Sequence, residues 1–233
     1  MNQLSFNNST QSKSKIIASS GIFQIELLNQ VGEEDFPQLI SISKSLEKDY
    51  GKKAILTHDT IQKYFNKEGS LPFIARYRDK IIGYIIGVPI EELSNEPWAR
   101  MDDNFGKRNT LYTYAFVIES EYKGNGYAKM LKRVFLSWAE KRQQINYVTG
   151  HVVNGVSAKF TGDIKIVDRI ENWQGTGKAF EYYRRDIQSK SPLQKNNPPL
   201  ISRSLFFSLV AKLTKINAKI EKVIAGKTSS ILL

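Results

Sequence analysis

The chain contains no cysteine among its 233 residues and only two histidines, His58 and His151. The first absence excludes a disulfide framework, a thiolate metal site and a cysteine nucleophile. The second leaves a histidine-rich metal centre without ligands, so no metal is expected. Long apolar runs are missing too, since none approaches the roughly 18 residues a membrane span needs. The first twenty residues, MNQLSFNNSTQSKSKIIASS, are polar and contain no arginine. Their apolar patch at Ile16 to Ala18 is too short for a signal-peptide core, and a disordered tail over 1–20 on a cytoplasmic protein is expected. Negative charge is also scarce. Lys and Arg number 34 against 23 Asp and Glu, a formal net charge of +11. That excess suits nucleic acid, an anionic membrane surface or a polyphosphate ligand, and charge alone does not choose among them.

Beyond the tail, IFQIELL reads as a strand and EEDFPQLISISKSLEKDY as a helix with Leu39, Ile40, Ile42 and Leu46 on one side, stopped at Gly51. DTIQKYF reads as a second helix capped by Asp59 or Thr60. LPFIARYRDKIIGYIIGVPI reads as a β-hairpin turning at Asp79 and Lys80, with Gly83 and Gly87 marking bulges or close packing. The polar stretch from Glu91 to Asn109 looks like a long loop, of the kind that forms lids or substrate walls. LYTYAFVI has too little polarity for a surface strand and is expected to be central. A helix follows with Met130, Leu131, Val134, Phe135, Trp138 and Ala139 on one face. Then come the strand YVTGHVV, a short irregular piece, and a hairpin of KIVDRIENW with KAFEYYRRDI. The order βαα, ββ, β, α, β, ββ describes an α/β (α+β) domain over 21–188 whose mixed, mostly antiparallel sheet is flanked by helices.

A linker is read at 189–202, followed by a basic amphipathic helix over 203–233. Phe206, Leu209, Leu213, Ile216, Ile220 and Val223 recur three and four residues apart, and six Lys/Arg over 203–227 face a single Glu221. Such a stripe docks on its own domain, on a second copy in a homodimer, or on an anionic membrane, so peripheral membrane attachment stays open. Nucleic acid is not expected, because the interleaving of aromatic and basic residues that stacks bases is missing.

EYKGNGYAKML joins the central strand to the following helix. Gly124 and Gly126 leave the amides from Lys123 to Ala128 accessible at a helix start, and Lys123 adds a full charge, a setting suited to a pyrophosphate. It is neither a P-loop nor a dinucleotide fingerprint. VIESEYKGNGYAKML resembles the acyl-CoA signature [QR]-x-x-G-x-[GA] of the GNAT superfamily of N-acetyltransferases, falling on Lys123, Gly126 and Ala128 with Lys in place of Gln or Arg. The element order over about Gly21 to Ile187 is similar to that family's.

The resemblance implies acetyl-CoA or another acyl-CoA as co-substrate and an amine acceptor. Its cofactor-binding residues would be Phe116, Val117, Ile118, Lys123, Gly124, Asn125, Gly126, Tyr127, Ala128, Lys129 and Asn154. It further implies strand ends splayed by a β-bulge near Phe116, backbone amides polarising the thioester carbonyl, and direct attack by the amine. The family's glutamate base would fall at Tyr112 and its tyrosine acid near Thr161, and neither residue is the expected type. Tyr112, Tyr114, His151 and Glu171 are the candidate catalytic residues, with Tyr182 a further substitute. For His151 the alternative is a hydrogen-bonded core histidine; for Tyr112 and Tyr114 it is packing on one sheet face. For the hairpin carrying Glu171 it is cross-strand aromatic pairing. Lys129, Lys132 and Arg133 are read on the solvated helix face, with Lys129 close enough to the cradle to favour a phosphate. An N-acyltransferase is the leading reading, and a non-catalytic acyl-CoA-binding or membrane-associated module of the same fold is the alternative.

Overall fold

The computed structural model describes residues 10–188. The expected linker at 189–202 and basic helix at 203–233 lie outside the described residues. The elements in chain order are β1 (Lys13–Ser20), β2 (Phe23–Gln30), α1 (Phe36–Ser43), α2 (Glu47–Tyr50), α3 (His58–Phe65), β3 (Leu71–Tyr77) and β4 (Lys80–Pro89). They continue with α4 (Pro97–Arg100), β5 (Thr110–Ile118), α5 (Tyr127–Glu140), β6 (Tyr147–Val153), β7 (Ile164–Ile170) and β8 (Phe180–Asp186). One eight-stranded sheet runs in the order β1-β2-β3-β4-β5-β6-β8-β7. Every neighbouring pair is antiparallel except β5 with β6, the pair that needs the α5 crossover.

Three local expectations are corrected. Lys13–Ser20, placed in the disordered tail, is an edge strand paired to β2 from Lys13↔Gln30 to Ser20↔Phe23. Its polarity fits an edge that covers little, and serine side chains fasten it: Ser12 Oγ donates to Asp35 and Ser14 Oγ to Glu26. The single helix expected through Tyr50 is broken at Lys44–Leu46, a 3₁₀ turn. There Ser43 and Ser45 hydroxyls bond back to the carbonyls of Ile40 and Ile42, competing with the helical ladder. The cap of α3 is Thr57, in a reciprocal capping box with Thr60, rather than Asp59 or Thr60.

The sheet is covered on both faces, which is why β3, β4 and β5 read as nearly continuous apolar runs. One face takes Leu39, Ile42, Ile61 and Phe65 against Ile74, Tyr84 and Ile86. The other takes Leu131, Phe135 and Ala139 of α5 against Phe73, Ile85 and Val148. Each fully buried Leu or Phe contributes roughly 1.5–3 kcal/mol relative to exposure.

Gly83 lets β4 approach β5 closely. A Cβ there would lie 2.5 Å from the Val117 carbonyl oxygen. Gly83→Ala is expected to cost about 2 kcal/mol by forcing the strands apart, read as a fall of roughly 5 °C in the denaturation midpoint. A midpoint unchanged within a degree would refute the close-approach role.

Two irregularities shape the middle of the sheet. Between Ile86 and Gly87 the partner on β5 jumps from Ala115 to Thr113, leaving Tyr114 as the extra residue of a β-bulge. The bulge therefore sits two residues before Phe116. Beside it, β5 and β6 pair only over Thr110–Tyr112 with Tyr147–Thr149, although both strands continue. Beyond Tyr112 and Thr149 the facing edges diverge and their inward backbone groups have no strand partner.

Candidate functional site

A cavity of about 300 Å³ occupies this wedge. Thr113, Tyr114, Ala115 and Phe116 of β5 border it on one side, and Gly150, His151 and Val152 of β6 on the other. Because the wedge passes through the sheet, the cavity opens to both faces. On the α5 side it reaches Lys132, Leu136, Phe160 and Tyr183; on the α3 side it reaches Tyr50, Tyr64, Glu96, Trp98, Trp173 and Gln174.

His151 is the polar centre of the second half. Its ring stacks between Trp173 (3.9 Å between centroids) and Tyr182 (4.7 Å), with Trp98 edge-on at 4.7 Å. Nδ1 lies 3.0 Å from the Tyr112 hydroxyl, whereas Nε2 is buried without a hydrogen-bond partner among the described residues. Burial pulls the imidazolium down to about 3, so His151 is neutral across the physiological range. Burial likewise pushes Tyr112 well above the ordinary phenol value, and it stays protonated.

Asp102 anchors the loop that carries Trp98. It accepts from Tyr182 Oη at 2.6 Å, Arg184 Nη2 at 2.8 Å and the Asn104 amide at 2.8 Å. Burial opposes its charge, but these three donors together outweigh burial and hold the carboxyl below its ordinary 3.8. With the folded value below the unfolded one, the carboxylate stabilises the fold fully above the unfolded value, and the contribution fades as pH falls through the folded value. Asp102→Asn is expected to cost about 2 kcal/mol at neutral pH by stranding Arg184. Urea midpoints of the two proteins should converge as pH falls below the unfolded carboxyl value and through the folded one, and a pH-independent gap would refute the charge pairing.

The cradle lies past the diverging end of β5. Gly126 is the N-cap of α5 with φ 82° and Gly124 has φ 86°, both in the left-handed region, and a Cβ at either would meet nothing within 4 Å. The first helical bond runs from the Met130 amide to the Gly126 carbonyl. The amides of Tyr127, Ala128 and Lys129 therefore fall in the first turn, which has no intrahelical acceptors. Lys123 and Lys129 are exposed beside them. An anion would meet open amide N–H groups, the positive helix end and two lysines.

A family model, described as the acetyltransferase (GNAT) family, matches residues 39–160, more than half of the chain. The chain belongs to the GNAT acetyltransferase family. None of the curated proteins matches its sequence. Among solved structures, yncA of Salmonella typhimurium with its cofactor acetyl-CoA is 11% identical with a TM-score of 0.53, over 73% of this chain and 96% of that one. The GNAT-like decarboxylase GphF with isobutyryl-CoA is 12% identical with a TM-score of 0.52, over 70% and 99%. Ribosomal-protein-alanine N-acetyltransferase of Brucella melitensis is 14% identical with a TM-score of 0.51, over 67% and 96%. At these identities the likeness is one of fold.

In this GNAT chain the sequence-derived site residues divide clearly. Tyr112, Tyr114, His151 and Phe116 border the cavity, and Tyr182 stacks on His151 from outside it. Glu171 is exposed in the turn after β7 and is not among the lining residues; Trp173 of the same turn is. Val117 and Ile118 bury their side chains in opposite cores, leaving only backbone for a ligand. Gly124 and Gly126 form the cradle, and the Asn125 side chain bonds the Tyr122 carbonyl at 3.3 Å. The Lys123 amide is already bonded to the Ser120 carbonyl, so its contribution is charge. Tyr127 is core, stacked on Phe23 at 4.3 Å, while Ala128 and Lys129 are exposed at the helix start. Asn154 is exposed after β6, its amide bonded to the Ala179 carbonyl. Thr161 is exposed, and Phe160 takes the place in the cavity.

Trp98 and Trp173 have no role in the sequence reading, and Lys132 has only that of a solvated helix lysine. Lys132, read as solvated, is half-buried with Nζ 3.5 Å from the Phe160 ring centroid, and burial followed by repulsion from Arg185 lowers it to about 8. A tryptophan inside the polar loop NEPWAR was the available signal for Trp98.

Proposed function

We propose that the chain is an N-acyltransferase that moves an acetyl group from acetyl-CoA to a primary amine by direct attack in a ternary complex. The observation that carries this reading is the wedge between β5 and β6, with a glycine cradle past its diverging end and the His151–Tyr112 pair at its closed end. A thioester supplies an activated carbonyl and a thiolate leaving group.

The first turn of α5, with Lys123 and Lys129, holds the pyrophosphate. The unpaired edge of β5 after Tyr112 offers main-chain N–H groups to the pantetheine arm and the thioester carbonyl, donors fixed in place before the reaction. With Nδ1–H donating to the Tyr112 hydroxyl, His151 Nε2 is a bare acceptor that takes a hydrogen bond from the neutral amine and aims its lone pair at the thioester, while the proton released on amide formation leaves to water. Lys132, an ammonium at neutral pH, returns a proton to the departing thiolate, a role Phe160 has no proton for.

The test is CoA release from acetyl-CoA over a panel of amines. The chain has no thiol of its own, so thiol detection carries no protein background. Affinity for acetyl-CoA without amine-dependent CoA release would sink the transferase reading and leave the binding module, which the phenylalanine at position 160 favours.

A further inference from the structure

We infer that the acceptor is a compact primary amine carried on an apolar, preferentially aromatic body. The inference rests on the transferase reading for its chemistry, and on the cavity walls for the acceptor's shape.

On the face opposite α5, the cavity is bordered by Tyr50, Tyr64, Trp98, Tyr114 and Trp173. Tyr64 lies 4.3 Å from Tyr114, and Trp98 lies 6.2 Å from Trp173, centroid to centroid. These rings pack in pairs along the border of the cavity rather than as a scattered surface patch. A polyamine entering such a chamber would bring extra positive charge beside Lys53, and a sugar would give up hydration over ring faces that pair few of its hydroxyls, whereas a flat apolar body gives up little. Three further polar side chains border that side among the described residues, Glu96, Lys53 and Gln174. Glu96 attracts an incoming ammonium, which ring faces also favour, while Lys53 disfavours a second positive charge on the acceptor. Trp98 Nε1 and His151 Nε2 are buried without partners among the described residues, one a donor and one an acceptor in the tautomer above.

Compactness follows from how the walls are tied. The Trp98 loop is anchored through Asp102 to Tyr182 and Arg184 of β8. The Trp173 turn is fastened to the Tyr50 segment, Lys178 Nζ donating to Asp49 at 2.7 Å and to the Lys48 carbonyl at 2.9 Å. Tyr50 also packs edge-on against Phe180 at 5.3 Å. A preformed chamber of about 300 Å³, shared with the end of the pantetheine arm, holds a ligand of small-molecule size.

The experiment has a binding arm and a turnover arm. Two of the three tryptophans border the chamber, so phenethylamine is expected to quench the fluorescence of CoA-loaded protein saturably, and spermidine and glucosamine are not. In turnover with acetyl-CoA, kcat/KM for phenethylamine is expected to exceed that for spermidine and glucosamine by at least about tenfold. Trp98→Leu should erode that margin to about threefold while acetyl-CoA affinity stays within about twofold. A preference for spermidine or glucosamine overturns the inference, as does an equal preference for a methionine-initiated tripeptide. If no amine turns over, the transferase reading fails, and the quench alone decides the chamber: saturation by phenethylamine supports it and silence overturns it.

Discussion

Gly126→Asp is expected to weaken acetyl-CoA binding at least about a hundredfold by titration calorimetry, with the fold intact. Two effects add. Gly126 has φ 82°, where a side chain brings strain on the order of 1 kcal/mol. The space a Cβ would enter is open, so the core is not disturbed and the cost falls on the site. The new carboxylate then stands at the exposed helix N-terminus, where it occupies the first-turn amides and repels phosphate, at a cost of about 2 kcal/mol once the lost amide contacts are included. Gly126→Ala separates the two, adding strain without charge, and is expected to lose no more than about tenfold. Equal affinity of the aspartate variant and the parent would remove the cradle from the donor site.

Tyr112→Phe and His151→Gln are each expected to lower kcat by about a hundredfold, the range for a misaligned nucleophile, while leaving acetyl-CoA affinity within about threefold. The pair acts as one unit, so the double variant should lose little beyond the worse single one. The pH profile is the sharper measurement. Because burial holds His151 neutral above about 3, the rate should show no inflection near the usual histidine value of about 6.5. A falling limb is expected instead at about 8, where Lys132 loses its proton, and Lys132→Met should lower the plateau and remove that limb. An inflection near 6.5 that vanishes in His151→Gln would show a solvated histidine and overturn the assignment. Affinity for acetyl-CoA lost in step with kcat would make the pair structural.

The donor half of the site was legible in the sequence because it is local. A strand, two glycines and a helix start within a dozen residues define the cradle, and the same stretch carries the family signature on Lys123, Gly126 and Ala128. The mixed sheet was legible for a similar reason: β3 to β6 announce themselves by composition and by the turns between them. What escaped depends on distant pairing. Whether Glu171 or Trp173 enters the cavity is decided by the turn Asn172–Lys178, where Gln174 adopts φ 51° and no periodicity signals it. Whether His151 is solvated or stacked depends on Trp98, more than fifty positions earlier, arriving through a loop whose sequence is polar. Lys132 misled because a lysine at a helix position reads as solvated, and only the opening of β5 from β6 creates the cavity it borders. β1 misled because a polar edge strand has no apolar alternation, its partner doing the burying.

The strand order β6-β8-β7 also sets a timetable for the molecule as it leaves the ribosome. The cradle and the beginning of the wedge are complete once α5 and β6 have emerged, by residue 153. The acceptor chamber is not, because Tyr182 and Arg184, which fix the Trp98 loop, belong to β8, the last of the described strands in chain order, which slots in beside β6 later. A nascent chain thus acquires the means to hold its donor before it has anywhere to put an acceptor.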